Sequence, residues 1–235
     1  AFEWLIKNQN NDGSWFSKYN DSHPLEKNKS THFGPYISVA ALHFYKIFED
    51  KEFLEYLWPN IKLALKFSLS LQIPNGTIPW SIDEGGKIEE DYLLTGSSSI
   101  LKSIECGIAI SKLLNDKENI SNWTQSHKSL SNAIRNPMGK FDLLQDRKRF
   151  SMDWYYPILS GCLNDKERDY YIDKVFNDFY VEDIGVKCVI EEPWITVAET
   201  CEFIIALMIS NRDEDAKKLL LDVLNICDKD NIPYM

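Results

Sequence analysis

The chain has 235 residues, of which 44% are hydrophobic and 26% charged, an ordinary composition for a globular protein with a sizeable core. Its formal net charge of −10 argues against nucleic acid and anionic membrane surfaces as partners. Aromatic residues make up 13% of the chain, and many of them fall in segments typical of loops. The acid excess fits neutral or cationic ligands, and it fits equally well a merely soluble surface.

Helical periodicity dominates the chain from its beginning. Apolar residues recur at i, i+3 and i+4 in nine successive segments: Phe2–Gln9, Tyr36–Phe48, Glu52–Gln72, Ser97–Leu114, Trp123–Ile134, Trp154–Leu163, Glu167–Tyr180, Trp194–Ser210 and Asp215–Cys227. The stretch Gly185–Ile190 alternates as a strand does, but no partner strand is evident. The sequence therefore predicts an all-α fold.

A repeat accompanies these helices. "FEWLIKNQNNDGSW" and "LKFSLSLQIPNGTIPW" align with Gln9 over Gln72 and Gly13 over Gly76, 63 residues apart. A degenerate third copy near the end of the chain has Asn231 at the glycine position. Glycine and asparagine tolerate positive φ, so each copy predicts a helix end where the chain turns back. Repeated hairpins of this size predict an (α/α) toroid, complete or as part of an (α/α)6 barrel.

Four polar and aromatic segments precede alternate helices. They are Phe33–Tyr36, Glu89–Ser99, Arg149–Pro157 and Ile190–Thr196. Alternate helices of antiparallel hairpins point the same way, so we expect these segments to open on one rim of a single domain over residues 1–235. Carboxylates, Trp and Tyr would then line one cavity mouth.

Three motifs and the turn repeat resemble known families. "QNNDGSW" is similar to the QW-type repeat of squalene-cyclase and prenyltransferase toroids. "DYLLTGSSSI", "MDWYYPILSG" and "PWITVAETCE" resemble a bacterial family of prenyltransferase-like toroids of unassigned activity. The order of the loops also resembles the six-hairpin (α/α)6 glycosidases of the glucoamylase type.

The residues do not fit the cyclase and prenyltransferase chemistries. A D-x-D-D tetrad is absent, and "DEDA" at Asp213–Ala216 lies where a helix start favours acids. The four histidines show no metal-ligand spacing with any cysteine: His23, His32, His43 and His127. We therefore expect neither a metal nor another cofactor.

Glycoside hydrolysis fits better, because it needs two carboxyl groups about 5–10 Å apart, one acting as acid and one as base or nucleophile. The resemblance to glucoamylase-type enzymes implies that Glu90 or Asp91 supplies the acid and Glu191 or Glu192 the base. Asp153 is a third acid on the predicted rim. The W-E pair that usually carries the acid in such enzymes reads "WSIDE" here, so the chain departs from their pattern.

Other residues of the same segments are candidates for binding a sugar by stacking or hydrogen bonding: Trp15, Tyr36, Trp80, Tyr92, Ser97, Ser98, Trp154, Tyr155, Trp194 and Glu199. Each has a structural alternative. Asp91 and Asp153, like the hydroxyls of Thr95–Ser99, suit helix N-caps, Pro193 suits the first helical position, and the aromatic rings suit core packing.

The leading hypothesis is a carbohydrate-active, glycoside hydrolase-like toroid acting on a glycan or other small molecule. An isoprenoid-binding toroid and a non-catalytic scaffold stay open as alternatives, as does the oligomeric state. Five scattered cysteines and no apolar run long enough to span a membrane favour a reducing, cytoplasmic location. The sequence has no initiator Met and ends within a turn motif, so we leave open that it is a piece of a longer protein.

Overall fold

A computed structural model describes residues 1–144 and 146–225 of the chain. Helices dominate these residues, which confirms the predicted all-α class. The chain divides into two compact units, residues 1–144 and 145–235, and each is described by itself. The prediction of a single domain over the whole chain stays a prediction. The third repeat copy with Asn231, and Cys227, lie outside the described residues.

The first unit is built from five α-helices and a short 3-10 helix at Gly34–Tyr36. The α-helices are α1 (Phe2–Asn8), α2 (Ile37–Phe48), α3 (Lys51–Leu69), α4 (Leu94–Leu113) and α5 (Ile120–Arg135). Helix α4 packs against both α2 and α5. Its own residues are mostly small or aliphatic, and α3 buries Leu54, Leu57, Ile61 and Leu65 along one face. The core forms where these apolar stripes meet.

The second unit contains α6 (Met152–Leu159), α7 (Asp165–Asp178), α8 (Val197–Ile209) and α9 (Asp213–Asn225). Helix α8 packs against α6 and α9, and α6 against α7. Their inward side chains form one apolar cluster that includes Tyr155, Phe179, Phe203 and Leu219. The unit therefore has its own core.

Short antiparallel strand pairs connect the helices in both units. The pairs are β1 (Lys18–Asn20) with β2 (His23–Glu26), β3 (Lys29–Ser30) with β4 (Ser81–Ile82), and β5 (Tyr180–Val181) with β6 (Gly185–Val186). The expectation of no partnered strand was wrong, because strands of two to four residues are too short for a period-2 pattern to reveal. Gly185 does lie in a strand, whose partner precedes it by four residues.

The two copies of the sequence repeat have the same geometry. Gln9 donates its side-chain amide to the carbonyl oxygens of Gly13 (3.0 Å) and of Asn60 in α3 (3.0 Å). Gln72 donates to the carbonyl oxygens of Gly76 (3.0 Å) and of a residue in α5 (3.1 Å). Both glycines have the expected positive φ, +92° and +94°. Each glutamine thus fastens its turn to the backbone of a neighbouring helix.

The residue before each glycine repeats as well. Asp12 Oδ1 accepts the backbone N–H (3.0 Å) and the hydroxyl (2.6 Å) of Ser14. Asn75 Oδ1 accepts the same two groups of Thr77, at 2.9 and 2.8 Å. The turn is therefore an Asx-type turn in both copies, with either acid or amide supplying the acceptor.

Two helix starts differ from the sequence prediction. Helix α4 begins at Leu94 after Leu93, which offers no side-chain acceptor, so Thr95–Ser99 lie inside the helix rather than capping it. Helix α8 begins at Val197, and the Thr196 hydroxyl accepts from its first turn, so Pro193 is not at the first helical position. Backbone pairing upstream, such as Cys188 N–H to Trp194 O at 2.7 Å, keeps that segment extended and delays the helix.

No helix among the described residues is long and apolar enough to cross a membrane.

Candidate active site

In the first unit, the segment before α4 is fixed by Asp91. This side chain is buried, with 3% of its surface exposed. Its Oδ1 accepts the backbone N–H of Tyr92 (2.8 Å) and of Leu143 (3.0 Å), and its carbonyl accepts from Trp80 (3.2 Å). Asp91 therefore holds three segments of the unit together. Its neighbour Glu90 is exposed and makes no hydrogen bond or ion pair with the described residues.

The first turn of α4 lies against a histidine. An ideal Cβ on Gly96 would lie 3.1 Å from Cγ and Nδ1 of His32, so the imidazole covers the glycine. Burial lowers the pKa of His32 to about 4, opposed by a hydrogen bond with the backbone of Trp80. The small residue at position 96 thus admits the His32 side chain. The contact of His32 with Gly96 is not evident from the sequence, because 64 positions separate the two residues.

The serines of this turn differ from each other. Ser98 donates its hydroxyl to Leu94 O at 2.8 Å. Ser97 is also buried, but its Oγ has no hydrogen-bond partner among the described residues. Ser98 is therefore satisfied within its helix, whereas Ser97 keeps an unused donor and acceptor.

The aromatic candidates of the first unit occupy different environments. Trp15 is buried, its indole N–H donates to Leu5 O (2.9 Å), and its ring covers Gly34. These contacts favour a packing role. Trp80 and Tyr92 are half-buried and Tyr36 is exposed, so all three retain surface that a sugar ring can contact.

In the second unit, Asp153 lies in the first turn of α6 and is buried. Next to it, Trp154 is half-buried and donates its indole N–H to Lys148 O at 3.1 Å. The following Tyr155 is fully buried. Within this motif the structure therefore leaves Trp154 partly accessible and places its two neighbours inside the unit.

A carboxylate held by two tyrosines is not evident from the sequence. Tyr155 OH donates to Glu202 Oε2 (2.8 Å), and Tyr156 OH donates to Glu202 Oε1 (2.9 Å). Burial raises the pKa of Tyr155, and the charges of Glu202 and Glu199 raise it further. Glu202 follows Glu199 by three residues on α8, so helical spacing places both carboxylates on neighbouring positions of one face.

The segment before α8 carries the remaining acids. Glu191 Oε2 accepts from Arg149 Nε at 3.2 Å, in an exposed ion pair. Glu192 is half-buried at a turn. Trp194 is 59% exposed, so its ring is open to a ligand. The pKa of the Cys188 thiol is raised to about 11, chiefly by burial and further by the neighbouring Glu199 carboxylate.

The structure thus brings Trp80, Asp91 and Tyr92 together in one unit, and Tyr155 with Glu202 and Glu199 in the other. The predicted common rim for all four segments involves both units and stays a prediction. Among the residues that the structure describes, no group of three or more His, Cys, Asp or Glu side chains could hold a metal ion.

Solved structures of sugar-acting proteins share this fold. The chain superposes on a GH63 mannosylglycerate hydrolase from Thermus thermophilus in complex with glucose with a TM-score of 0.70 and 11% identity, covering 95% of this chain and 77% of that one. For a rhamnosidase from Klebsiella oxytoca the TM-score is 0.64 at 12% identity, covering 91% and 42%. Such identities show the fold alone, and they confirm the predicted (α/α)-toroid class.

Relatives in sequence are glycosidases as well. The chain is 34% identical over 207 residues to the MMP endo-(1,4)-3-O-methyl-alpha-D-mannosidase of Mycolicibacterium hassiacum, covering 88% of this chain and 56% of that protein. It is 26% identical over 152 residues to an uncharacterized glycosyl hydrolase of Methanocaldococcus jannaschii, covering 64% and 23%. The chain therefore spans about half or less of the length of these relatives. No family model matches it.

These comparisons support the resemblance to glycosidases. None of the proteins named above is a squalene cyclase or a prenyltransferase, and that part of the resemblance has no support.

Proposed function

We propose that this chain is part of a glycoside hydrolase that cleaves an α-mannosidic bond in a glycan. The observation that carries the proposal is the 34% identity over 207 residues to an endo-mannosidase. The acids that precede α4 and α8, together with accessible aromatic rings near them, are the groups that such a reaction needs. No cofactor takes part in the proposed reaction.

For the acid, we propose Glu90 in preference to Asp91. The Asp91 carboxylate is buried and already accepts two backbone N–H groups through Oδ1. Glu90 is exposed and adjacent, so it can reach a glycosidic oxygen while Asp91 fixes the backbone beside it. A general acid must lie within hydrogen-bond reach of the leaving oxygen, and this arrangement gives Glu90 the freedom to do so.

For the base or nucleophile, we propose Glu192 or Glu191, with Asp153 as a third carboxyl group. Glu192 is half-buried, whereas Glu191 is held in the ion pair with Arg149. Trp194 is the most exposed aromatic candidate in that segment and is proposed to stack on the sugar.

The test uses the chain with α-(1→4)-linked mannooligosaccharides and with aryl α-mannosides. Each of Glu90, Asp91, Asp153, Glu191 and Glu192 is changed in turn to its amide. Two of the five variants are expected to lose activity by about a thousandfold or more, because each removes one of the two required carboxyl groups. Proton NMR of the first-formed product then gives the stereochemistry. No hydrolysis of any α-mannoside, or full activity in all five variants, contradicts the proposal.

A further inference from the structure

The hydroxyl of Ser97 differs from the other buried hydroxyls in the helices. Ser98, Ser103 and Thr200 each donate to the carbonyl oxygen four residues earlier, at 2.8, 2.8 and 2.7 Å. Ser97 has the same option at Leu93 O but does not use it, although only 2% of its surface is exposed. A buried hydroxyl without a partner is costly, so an acceptor or donor from elsewhere is indicated.

A second unused polar atom adjoins the same turn. His32 Nδ1 is enclosed and has no hydrogen-bond partner among the described residues. The ring contacts Gly96, the residue before Ser97. Because the pKa of His32 is lowered to about 4 by burial, the imidazole is neutral near pH 7. A neutral imidazole has one acceptor nitrogen, and Nδ1, which has no partner among the described residues, can take that role.

The backbone around His32 is held in place before any ligand arrives. Thr31 donates its N–H to Trp80 O (3.0 Å) and its hydroxyl to Pro79 O (2.6 Å). Ser68 of α3 in turn donates to Thr31 O. The backbone that carries the imidazole is therefore held in place, which favours selective hydrogen bonding by the ring.

The charges nearby select a neutral ligand. Helix α4 is 20 residues long and its N-terminus has no capping side chain, so its first N–H groups favour an oxygen atom. The carboxylates of Glu90 and Asp91 precede that N-terminus by four and three residues and disfavour an anion. A hydroxyl group meets both conditions.

We propose that His32 Nδ1 and Ser97 Oγ form a subsite for one hydroxyl group of a sugar at the N-terminal end of α4. The sugar hydroxyl donates to Nδ1, and the Ser97 hydroxyl donates to the sugar oxygen. This inference rests on the proposed function, because it assigns a substrate-binding role to residues of the same unit as Glu90. It would make the pair a determinant of which sugar is accepted.

The decisive variant is Ser97→Ala, with Ser103→Ala as the matched control at another buried hydroxyl of α4. Binding of methyl α-D-mannopyranoside and of α-(1→4)-mannobiose is measured by calorimetry, and hydrolysis in parallel. Ser97→Ala is expected to weaken binding about tenfold or more while the melting temperature stays equal or rises, because an unpaired hydroxyl is removed. Ser103→Ala is expected to leave binding unchanged, because the Ser103 hydroxyl already donates to Ser99 O within the helix.

His32 provides an independent check. His32→Phe keeps a ring against Gly96 without an acceptor and is expected to weaken binding as Ser97→Ala does. His32→Asn restores an acceptor near the Nδ1 position and is expected to recover part of the affinity.

The outcomes separate the two proposals. Sugar binding that depends on Ser97, without hydrolysis, supports the subsite and contradicts the hydrolase. Hydrolysis and binding that are equal in Ser97→Ala and the unmodified chain overturn the subsite and leave the hydrolase intact. Absence of both binding and hydrolysis in the unmodified chain overturns both.

Discussion

The close packing of the repeated turn against a helix gives a sharp test of the fold. Gly76 has φ of +94°, and an ideal Cβ there would lie 2.4 Å from Ser129 O and 2.8 Å from Ser129 C in α5. Contacts this short with backbone atoms cannot be relieved by turning a side chain. Gly76→Ala therefore requires the turn and α5 to move apart.

The size of the effect follows from three contributions. A residue with a Cβ at positive φ costs about 1–2 kcal/mol. Displacement of α5 weakens the hydrogen bond from Gln72 to Ser126 O, worth about 1 kcal/mol. Overpacking of the new Cβ against the Ser129 backbone costs about 1–3 kcal/mol. We expect Gly76→Ala to lower the free energy of unfolding by about 3–6 kcal/mol.

Gly86 is the matched control, because its φ is +87° but nothing lies within 4 Å of an ideal Cβ there. Gly86→Ala is expected to cost only the backbone strain, about 1–2 kcal/mol. Urea unfolding followed by circular dichroism and tryptophan fluorescence gives both values. Equal destabilisation by the two variants would refute the argument, since the contact with α5 would then contribute nothing.

The remaining predictions use the same unfolding assay. Hydrogen bonding from Lys62 and from a tryptophan lowers the pKa of Asp116 to about 2, so Asp116→Asn should cost about 1 kcal/mol at pH 7. That difference should vanish as the pH falls through 3.8 to 2. Burial lowers the pKa of His32 from 6.5 to about 4 in the folded protein. The free energy of unfolding should therefore fall by about 2 kcal/mol as the pH is lowered from 6.5 to 4. The fall should be smaller in His32→Asn, which lacks the titrating group. Tyr155→Phe removes a hydroxyl from the Glu202 carboxylate and should cost about 1–2 kcal/mol.

Helices and the repeat were predictable because their signals are local. In α3 the buried residues Leu54, Leu57, Ile61 and Leu65 follow the helical period, and its length makes that period unambiguous. The repeated Gln and Gly residues are also visible in sequence because each turn uses them within five positions. By contrast, the pairing of Ser30 with Ser81 joins residues far apart through strands of only two residues, where no period can be recognised.

The candidate site was harder to predict because its contacts are not local. Glu202 looks like an ordinary helix residue in "AETCEF", and its partner Tyr155 lies 47 positions earlier. His32 likewise meets Gly96 across more than sixty residues. The serines after Thr95 match a capping signature, but the helix begins earlier, at Leu94, and no side chain caps it there. Tertiary contacts therefore determine which polar side chains are hydrogen-bonded within the protein and which have no partner there.

Hydrogen bonds to the backbone distinguish carboxylates that hold the structure together from carboxylates that are available for catalysis. Asp91 has the residue type expected of a catalytic acid, yet its hydrogen bonds to Tyr92 and Leu143 commit Oδ1 to the backbone. A loop tied down in this way loses little conformational entropy when a substrate binds, so its neighbours are already positioned. Glu90 lies on this fixed backbone, but its own carboxylate is not used in hydrogen bonds to the described residues, so we propose that it is positioned to act on a substrate. We therefore expect catalysis to depend on Glu90, which lies next to the hydrogen-bonded Asp91, rather than on Asp91 itself.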